Sequence, residues 1–347
     1  MDYSKYKVMK QLIMDMKLPN YRYEQIINAI FSQRILQFEE MRTLPINLRK
    51  NLINTFGPTI CRMVPVACQT SGQADKILFS LPDDNRVETV HLKYKKGWES
   101  FCISSQCGCG FSCQFCATGT LGCKRNMTVD EITDQLLYFH LNGHKLNSIS
   151  FMGMGEPLAN PHLFGALAVL CDPSLFGLSQ RRITISTIGI VPGIRRLTQE
   201  FPQINLAFSL HSPFEKQRNE LMPVNRSFPF HEVMEALDSH IRRTGRRLFL
   251  AYIMLNDVND SVDHAKALVH LLQNRGPWAH LYHVDLIPYN ATDRTPRKFA
   301  SSDKIIMKRF RDILHMAGIS VAVRTQFGSD ISAACGQLHG DEQNSLL

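Results

Sequence analysis

Six of the ten cysteines crowd into one short segment, namely Cys102, Cys107, Cys109, Cys113, Cys116 and Cys123. Three of them have the spacing C-x3-C-x2-C, from Cys109 to Cys116. Three thiolates on one loop can hold three corners of a [4Fe–4S] cube and leave the fourth iron open to a ligand. The alternatives are simple burial and a structural zinc ion with Cys102 or Cys107 as its fourth ligand. The spacing and the position directly after a predicted strand favour iron–sulfur.

A second chemical signal is the glycine-rich segment at residues 151–157, Phe-Met-Gly-Met-Gly-Glu-Pro, which ends another predicted strand. Glycines at a strand end let a ligand approach the backbone closely, because no Cβ stands in the way. The Glu156 carboxylate can accept hydrogen bonds from an amino group. Alone the segment is a weak signal, since glycine-rich strand ends also serve packing. Together with the cysteine motif, its order and placement are similar to those of the radical S-adenosylmethionine (SAM) superfamily, in which SAM chelates the open iron.

Strand and helix patterns alternate through the region that carries both motifs. Apolar, β-branched runs predict strands at 101–107, 148–154, 182–188, 205–211, 247–254 and 281–287. The first helix between them begins with a capping box formed by Thr128 and Glu131. Such alternation predicts parallel strands joined by crossover helices. Six units are fewer than the eight of a closed barrel, so we predict an α/β fold with a partial (βα)6 barrel whose chemistry lies at the carboxyl ends of the strands.

The sequence before this region has a different pattern. Apolar residues repeat at helical spacing in 21–31, and residues up to about 50 favour helices. Two β-prone runs at 76–81 and 86–92 flank turn residues and predict a hairpin. We therefore predict three parts: a small α+β N-terminal domain at 1–94 that serves as an RNA clamp, a radical SAM core at 95–330 and a C-terminal extension at 331–347.

Charge and hydropathy limit the class of protein. The chain has 347 residues, a net charge of +8 and 44% hydrophobic residues, which is enough for a core and excludes global disorder. No apolar run approaches the ~20 residues of a membrane span, and the charged N-terminus is unlike a signal peptide, so we expect a cytoplasmic protein with no membrane partner. The positive charge suits a polyanion such as RNA. The candidate RNA-contacting patches, each equally explained as a solvated helix face or turn, are 91–96, 181–182, 242–243, 246–247 and 308–311.

Nearly the whole chain resembles the RlmN/Cfr family of RNA methyltransferases within this superfamily. The motifs that carry the resemblance are ESFCISSQCGCGFSCQFC (99–116), SFMGMGEPLAN (150–160), ISTIGI (185–190), FSLHSP (208–213), HVDLIPYN (283–290) and RTQFGSDISAACGQL (324–338). Cys107, residues 117–119 and residues 326–328 favour the branch of the family that modifies carbon 8 of adenine over the branch that modifies carbon 2. Pro157 departs from the alanine of the carbon-8 branch but fits the general Gly-Glu-Pro pattern.

This resemblance implies a set of site residues. The ligands of one [4Fe–4S] cluster would be Cys109, Cys113 and Cys116. The SAM-binding residues would be Gly155, Glu156, Ser186, Ser209, Leu210, His211 and Asn290. Cys335 would carry a methyl group, Cys102 would be its thiol partner, and Glu88 would accept a proton.

Taken alone, four of these residues have simpler interpretations. Cys102 is then a buried strand cysteine, Cys335 an inert thiol, Glu88 a solvated strand carboxylate and His211 a satisfied core histidine. Four further cysteines are interpreted as structural, namely Cys61, Cys68, Cys123 and Cys171, and Cys107 as a spare thiol near the cluster.

The implied activity is methylation of carbon 8 of one adenosine in the peptidyl transferase centre of 23S rRNA. That carbon is not a nucleophile, so a radical route replaces ordinary displacement, and the cofactor carries the difficult step. Two SAM molecules are used per product: one methylates Cys335, and the other activates that methyl group. Cys102 then releases the product through a transient disulfide with Cys335.

The resemblance also implies partners and a consequence. The partners are 23S rRNA and an electron donor such as flavodoxin or ferredoxin, and we expect a monomer. The added methyl group would confer resistance to antibiotics that bind the ribosome. The alternatives are a carbon-2 methyltransferase acting on 23S rRNA or tRNA and, from another class, a non-catalytic zinc protein that binds RNA.

Overall fold

The computed structural model describes residues 4–292, 294–295, 298–325, 327–333, 336–338 and 340. Within them the α-helices are α1 (Lys5–Asp15), α2 (Tyr21–Phe31), α3 (Ile46–Phe56), α4 (Val129–Leu141), α5 (Leu163–Cys171), α6 (Val191–Glu200), α7 (Glu215–Leu221), α8 (Phe230–Thr244), α9 (Val262–Gln273) and α10 (Lys304–Met316). None of these helices is both long and apolar enough to cross a membrane.

The strands fall into one large sheet and one small one. They are β1 (Val64–Ser71), β2 (Ala74–Ser80), β3 (Arg86–Tyr94), β4 (Trp98–Cys102), β5 (Gln106–Cys109), β6 (Gly122–Asn126), β7 (Ser148–Phe151), β8 (Ile183–Thr187), β9 (Asn205–Ser209), β10 (Leu248–Met254), β11 (Tyr282–Pro288) and β12 (Ser320–Val323). The large sheet has the order β1-β2-β3-β4-β7-β8-β9-β10-β11-β12, and β5 pairs with β6.

The larger part of the big sheet confirms the predicted alternation. From β4 through β7 to β12, each strand is parallel to its neighbour in the sheet. Helices connect these strands in sequence, so all the carboxyl ends lie at one edge. The strands are apolar and fully buried at Ile149, Ile185, Leu206, Leu250 and Val284, as is usual where both faces of a parallel sheet are covered. Within the described residues the sheet does not close, which fits a partial barrel.

The prediction for the first strand, 101–107, is wrong in its extent. The strand ends at Cys102, and a separate strand, β5, starts at Gln106. Between them the Ser104 amide donates to the side chain of Gln135 on α4, at 2.8 Å, instead of extending the ladder. The loop after β7 also crosses here, since a Cβ on Gly153 would lie 2.7 Å from the Ile103 carbonyl carbon. Side-chain bonds and this crossing backbone therefore end the strand.

The N-terminal part confirms the predicted hairpin and joins the sheet. Strands β2 and β3 pair antiparallel, and β3 pairs antiparallel with β4, so the hairpin extends the parallel sheet. Helix α1 docks on α4: the Lys5 amide donates to Asp130 at 2.9 Å, and the buried Lys5 ammonium forms an ion pair with Asp134. Helix α4 begins with the predicted capping box of Thr128 and Glu131. The division into parts at 94 and 330 stays a prediction.

Candidate active site

The three cysteines of the C-x3-C-x2-C motif lie together on one loop. Cys109 ends β5, and Cys113 and Cys116 follow before a short 3-10 turn. The loop is tight, because a Cβ on Gly119 would lie 3.2 Å from the backbone of Cys113. Loss of water and the neighbouring thiols raise the pKa of Cys113, and burial raises the pKa of Cys109 to about 12. Thiols in this setting become thiolates when a metal binds them and supplies the positive charge.

Among the described residues, the group of three metal-ligating side chains with all its ligand atoms within 4.8 Å of one another is not the cysteine trio. The iron–sulfur assignment of Cys109, Cys113 and Cys116 therefore depends on their C-x3-C-x2-C spacing and on their place at the carboxyl edge of the sheet.

The compact group is formed instead by His91, Glu99 and His144. Nε2 of His91 and Nδ1 of His144 both lie 2.8 Å from the Glu99 carboxylate, and Nδ1 of His91 lies 3.2 Å from the Asp75 carboxylate. His91 alternates with Val90, the strand partner of Cys102, so this group lies on the opposite face of the sheet from Cys102. We interpret it as a hydrogen-bonded network that ties β2, β3 and β4 to the segment after α4.

The glycine-rich segment places Glu156 at the carboxyl end of the sheet, beside the cysteine loop. The carboxylate of Glu156 accepts hydrogen bonds from the amides of Leu158, at 3.1 Å, and Ile188, at 2.9 Å. Burial raises the pKa of Glu156 to about 7 despite these bonds. Gly155 has a φ of 94°, and a Cβ there would lie 2.5 Å from Cβ of Gln106, so only glycine fits. The arrangement suits an amino group that binds the Glu156 carboxylate.

A cavity of about 160 Å³ opens at this edge between the cysteine loop and the strand ends. Of the predicted SAM-binding residues, it is lined by Gly155, Glu156, Ser186, Ser209 and His211, and Cys116 also lines it. We call it the inner cavity. It brings together side chains from β8, β9 and the segment after β7, as the barrel prediction requires.

Two of the predicted SAM-binding residues lie elsewhere. Leu210 is fully buried, and its backbone carbonyl accepts a hydrogen bond from Arg218 at 2.8 Å. Asn290 follows β11 and lines a second cavity.

His211 lines the inner cavity and is also a satisfied histidine. Its Nδ1 accepts a hydrogen bond from the Ile253 amide at 3.0 Å, and burial lowers its pKa to about 3. The His211 ring is therefore neutral and leaves Nε2–H as a donor.

The second cavity, of about 620 Å³, is the outer cavity. Cys102 lines it together with Tyr94 and Phe327, whose rings meet edge to face at 5.4 Å. Met152, Ile287 and Arg324 line both cavities, so the two adjoin. Cys102 thus lines one of two adjoining cavities, which together we call the cleft, and Glu156 and Cys116 line the other.

The C-terminal extension covers the junction of the two cavities. Ala333 lines the outer cavity and Gly336 the inner one. The extension is bonded to the turn that follows the cysteine loop: the Ala117 amide donates to the Gly336 carbonyl at 2.8 Å, and the Thr118 hydroxyl donates to the Leu338 carbonyl at 2.6 Å. Cys335 lies outside the described residues, but its described neighbours flank this junction.

Glu88 is buried, with 2% of its surface exposed, so the simpler interpretation as a solvated carboxylate is wrong. Its carboxylate forms an ion pair with Lys76 at 3.2 Å. Glu88 shares a face of β3 with Val90, which pairs with Cys102. Lys76 also reaches the Ser332 carbonyl at 3.5 Å, and so links Glu88 to the C-terminal extension.

Two arginines at the site were missed in the sequence analysis. Arg324 lines both cavities, and its Nε lies 3.4 Å from the Asp285 carboxylate. Arg218 on α7 is 1% exposed and donates to carbonyls at the ends of β8 and β9. Arg324 opens one of the quoted motifs, which could have drawn attention to it. No local signal marks Arg218, because its partners are distant backbone atoms.

Comparison with known proteins agrees with this geometry. The profile of the radical SAM superfamily matches residues 103–269. The crystal structure of a radical SAM methyltransferase from Sphaerobacter thermophilus superposes with a TM-score of 0.90 at 35% identity and covers 98% of each chain. The partial barrel and the cysteine loop at its carboxyl edge are thus those of a radical SAM enzyme.

Sequence relatives define the family more closely. The chain is 84% identical to the ribosomal RNA large subunit methyltransferase Cfr of Lachnoclostridium phytofermentans, over 99% of both chains. It is 55% identical to the protein of the same name from Staphylococcus aureus, over 99% of this chain and 98% of that one. The chain belongs to the Cfr family of ribosomal RNA large subunit methyltransferases.

Proposed function

We propose that this protein methylates carbon 8 of an adenosine in 23S rRNA through a methylated Cys335, and that the methyl group confers resistance to antibiotics bound at the peptidyl transferase centre. The observation that supports this most strongly is the convergence of Cys102 and the extension that carries Cys335 on one cleft. That cleft joins the cavity beside the cysteine loop to an open cavity. A thiol pair for methyl transfer needs this proximity to both a SAM site and a substrate site.

Cys109, Cys113 and Cys116 are the proposed ligands of one [4Fe–4S] cluster. Their soft thiol donors and position beside Glu156 fit a cube with one open iron. When bound, the cluster and SAM supply the carbon radical that activates the methyl group on Cys335. The electron comes from a low-potential donor of the flavodoxin or ferredoxin class.

Glu156 is the proposed acceptor for the amino group of SAM. The Leu158 and Ile188 amides hold its two carboxylate oxygens in place. Gly155, Ser186, Ser209 and neutral His211 complete the inner cavity, with polar groups for the rest of the molecule. Asn290, which lines the outer cavity, and the backbone of the buried Leu210 complete the proposed set of SAM-binding residues. Burial in this cavity excludes water from the reacting atoms.

Cys335 and Cys102 carry the covalent steps. Cys335 accepts a methyl group from one SAM. That methyl group would lose one hydrogen atom to the carbon radical, and its carbon would bond to carbon 8 of the adenine, which joins enzyme and RNA. The adduct would then lose one electron, for which the oxidised cluster would be the acceptor, and Glu88, which lies beside the outer cavity on the same face of β3 as Val90, would accept the proton from carbon 8. The Cys102 thiolate then attacks the Cys335 sulfur; a sulfur–sulfur bond forms, the sulfur–carbon bond breaks, and the released carbon takes up a proton to become the methyl group.

The outer cavity is the proposed place for the adenine. Enzymes that act on a base take it out of the stack and hold it between aromatic or apolar side chains. Tyr94 and Phe327 offer such surfaces, and Cys102 lies in the same cavity. The net charge of +8 favours binding of the surrounding RNA backbone.

Nucleoside mass spectrometry of 23S rRNA from cells with and without the gene tests the proposal. We expect 8-methyladenosine only in cells with the gene; 2-methyladenosine instead would identify a carbon-2 enzyme. Cys102→Ala should accumulate a covalent protein–RNA adduct, because its sulfur–carbon bond is no longer released. Cys335→Ala, as the matched control, should give neither adduct nor product. Methylation by the Cys335→Ala protein would contradict the mechanism.

A further inference from the structure

Arg218 is a buried cation with no acidic partner among the described residues. Its side chain is 1% exposed, and among the described residues no carboxylate lies within ion-pair distance of it. Its contacts with described residues are neutral groups. They are the carbonyls of Ile188, Ser209 and Leu210 at 2.7–2.8 Å, the Asn225 side-chain oxygen at 2.9 Å, the Met222 sulfur at 3.1 Å and the Phe208 ring at 4.7 Å. A charge so deeply buried is costly unless an opposite charge is close by.

The missing negative charge is expected at the cysteine loop. Cys113 adjoins Gln114, at the point where the cysteine loop meets α7, the helix that carries Arg218. The loop is also bonded to the helix that carries Arg218, since the Gln114 amide donates to the Leu221 carbonyl at 3.0 Å. Arg218 is therefore held close to one of the proposed cluster ligands.

Glu156 does not take this role, although it lies nearby. The peptide of Ile188 separates the two charges: its amide donates to Glu156 at 2.9 Å, and its carbonyl accepts from Arg218 at 2.7 Å. The Glu156 carboxylate lines the inner cavity, and the Arg218 guanidinium binds the carbonyls of Ile188 and Ser209 on the other side of this peptide.

We propose that Arg218 is a positioning residue whose fixed positive charge compensates the iron–sulfur cluster and raises its reduction potential. The inference rests on the proposed cluster ligands. Reduction moves one electron from an external low-potential donor to the cluster and so adds one negative charge to it. A cation held nearby stabilises this more negative state more than the oxidised one. Net charge and hydrogen bonding are among the features that set cluster potentials.

The Arg218 side chain also holds in place part of the backbone that lines the inner cavity. The carbonyls that it binds belong to Ile188, Ser209 and Leu210, which lie at the ends of β8 and β9. Arg218 thus has a structural role that any substitution disturbs, and the test must separate that role from the charge. Lysine keeps the charge without the fork of donors, and glutamine keeps hydrogen bonding without the charge.

The test is a redox titration of the reconstituted holoenzyme, followed by electron paramagnetic resonance, for wild type, Arg218→Gln, Arg218→Lys and Arg226→Gln. Arg226 is the matched control, since it is exposed and lies eight residues further along the chain. We expect Arg218→Gln to lower the equilibrium constant for reduction at least tenfold, about 59 mV for a one-electron couple. Arg218→Lys should stay nearer to wild type, and Arg226→Gln should match it.

The outcomes separate this inference from the proposed function. Equal potentials in wild type and Arg218→Gln, at equal iron and sulfide content, would overturn the role of Arg218 alone. A shift in Arg218→Lys as large as in Arg218→Gln would assign Arg218 a structural role only. If Arg218→Gln binds no iron, retention of the cluster by Arg218→Lys supports the charge, and its loss from both variants overturns it. Wild-type protein that binds no iron would contradict the cluster itself.

Discussion

The hydrogen bond between Thr118 and Leu338 gives the most direct test of how the C-terminal extension is held over the cleft. Thr118 is 4% exposed, and its hydroxyl donates to the Leu338 carbonyl at 2.6 Å. Thr118→Val removes this donor and nearly preserves the shape of the side chain. The extension would then be held to the turn by the bond from the Ala117 amide to the Gly336 carbonyl.

The size of the effect follows from leaving a buried acceptor unpaired. Removing one partner of a buried hydrogen bond costs about 1–3 kcal/mol. Because about 1.4 kcal/mol corresponds to a factor of ten in an equilibrium constant at room temperature, we expect the extension to leave the cleft roughly ten times more often. In the proposed mechanism Cys335 reacts from the docked extension, so product formation should fall only as far as the docked fraction falls, and by no more than a similar factor.

Hydrogen exchange of the Ala117 amide measures this directly, because that amide is bonded to the extension. Its exchange should accelerate about tenfold in Thr118→Val. Thr133→Val is the matched control: Thr133 is also buried, but its hydroxyl donates to Val129 within α4. Unchanged exchange at Ala117 in Thr118→Val would show that the bond does not hold the extension, and would refute the reasoning.

Three further predictions concern binding and stability. SAM affinity, measured by anaerobic calorimetry, should fall as the pH drops through about 7. The reason is that the raised pKa of Glu156 leaves its carboxyl group protonated and uncharged below that value. Glu156→Gln should bind SAM more weakly and lose this component of the pH profile. Gly153→Ala should lower the melting temperature and weaken SAM binding, because its Cβ would lie 2.7 Å from the Ile103 carbonyl carbon; normal values for both would contradict the close approach. Asp134→Asn should lower the free energy of unfolding by about 3–5 kcal/mol, because it leaves the Lys5 ammonium buried without its ion-pair partner. Denaturant unfolding measures this change. A loss below about 1 kcal/mol would show that the pair is solvated.

The parallel strands were predictable because each is a short apolar run that ends in a polar motif. Strand β9, for example, was expected at 205–211 and is found at Asn205–Ser209, with Ser209 at its carboxyl end. The same pattern failed at 101–107, where the sequence stays apolar or small while the backbone turns away from the sheet. There the turn is imposed by Gln135 of α4 and by the loop at Gly153, which are distant in sequence.

The candidate site was predictable where side chains lie on one continuous motif. Gly155 and Glu156 adjoin the cysteine loop as expected, but the cause is a set of backbone hydrogen bonds between the segment after β7 and the segment that joins β4 to β5. Residues that act across the fold were not predictable in the same way. The burial of Glu88 and its pairing with Lys76 depend on the packing of the hairpin, and the His91 network depends on contacts between strands and the segment after α4.

Chain length limits how Cys335 can serve both cavities. Ala333 lines the outer cavity and Gly336 the inner one, and three peptide units separate them, which is about 11 Å of extended chain. Cys335 is covalently adjacent to Gly336, whose carbonyl is bonded to Ala117. If Cys335 carries the methyl group as proposed, a long excursion from a methyl-donor site to a distant RNA site would require that bond and the Thr118 bond to break. The proposed mechanism needs no such excursion, because Met152, Ile287 and Arg324 line both cavities and the two sites are therefore adjacent.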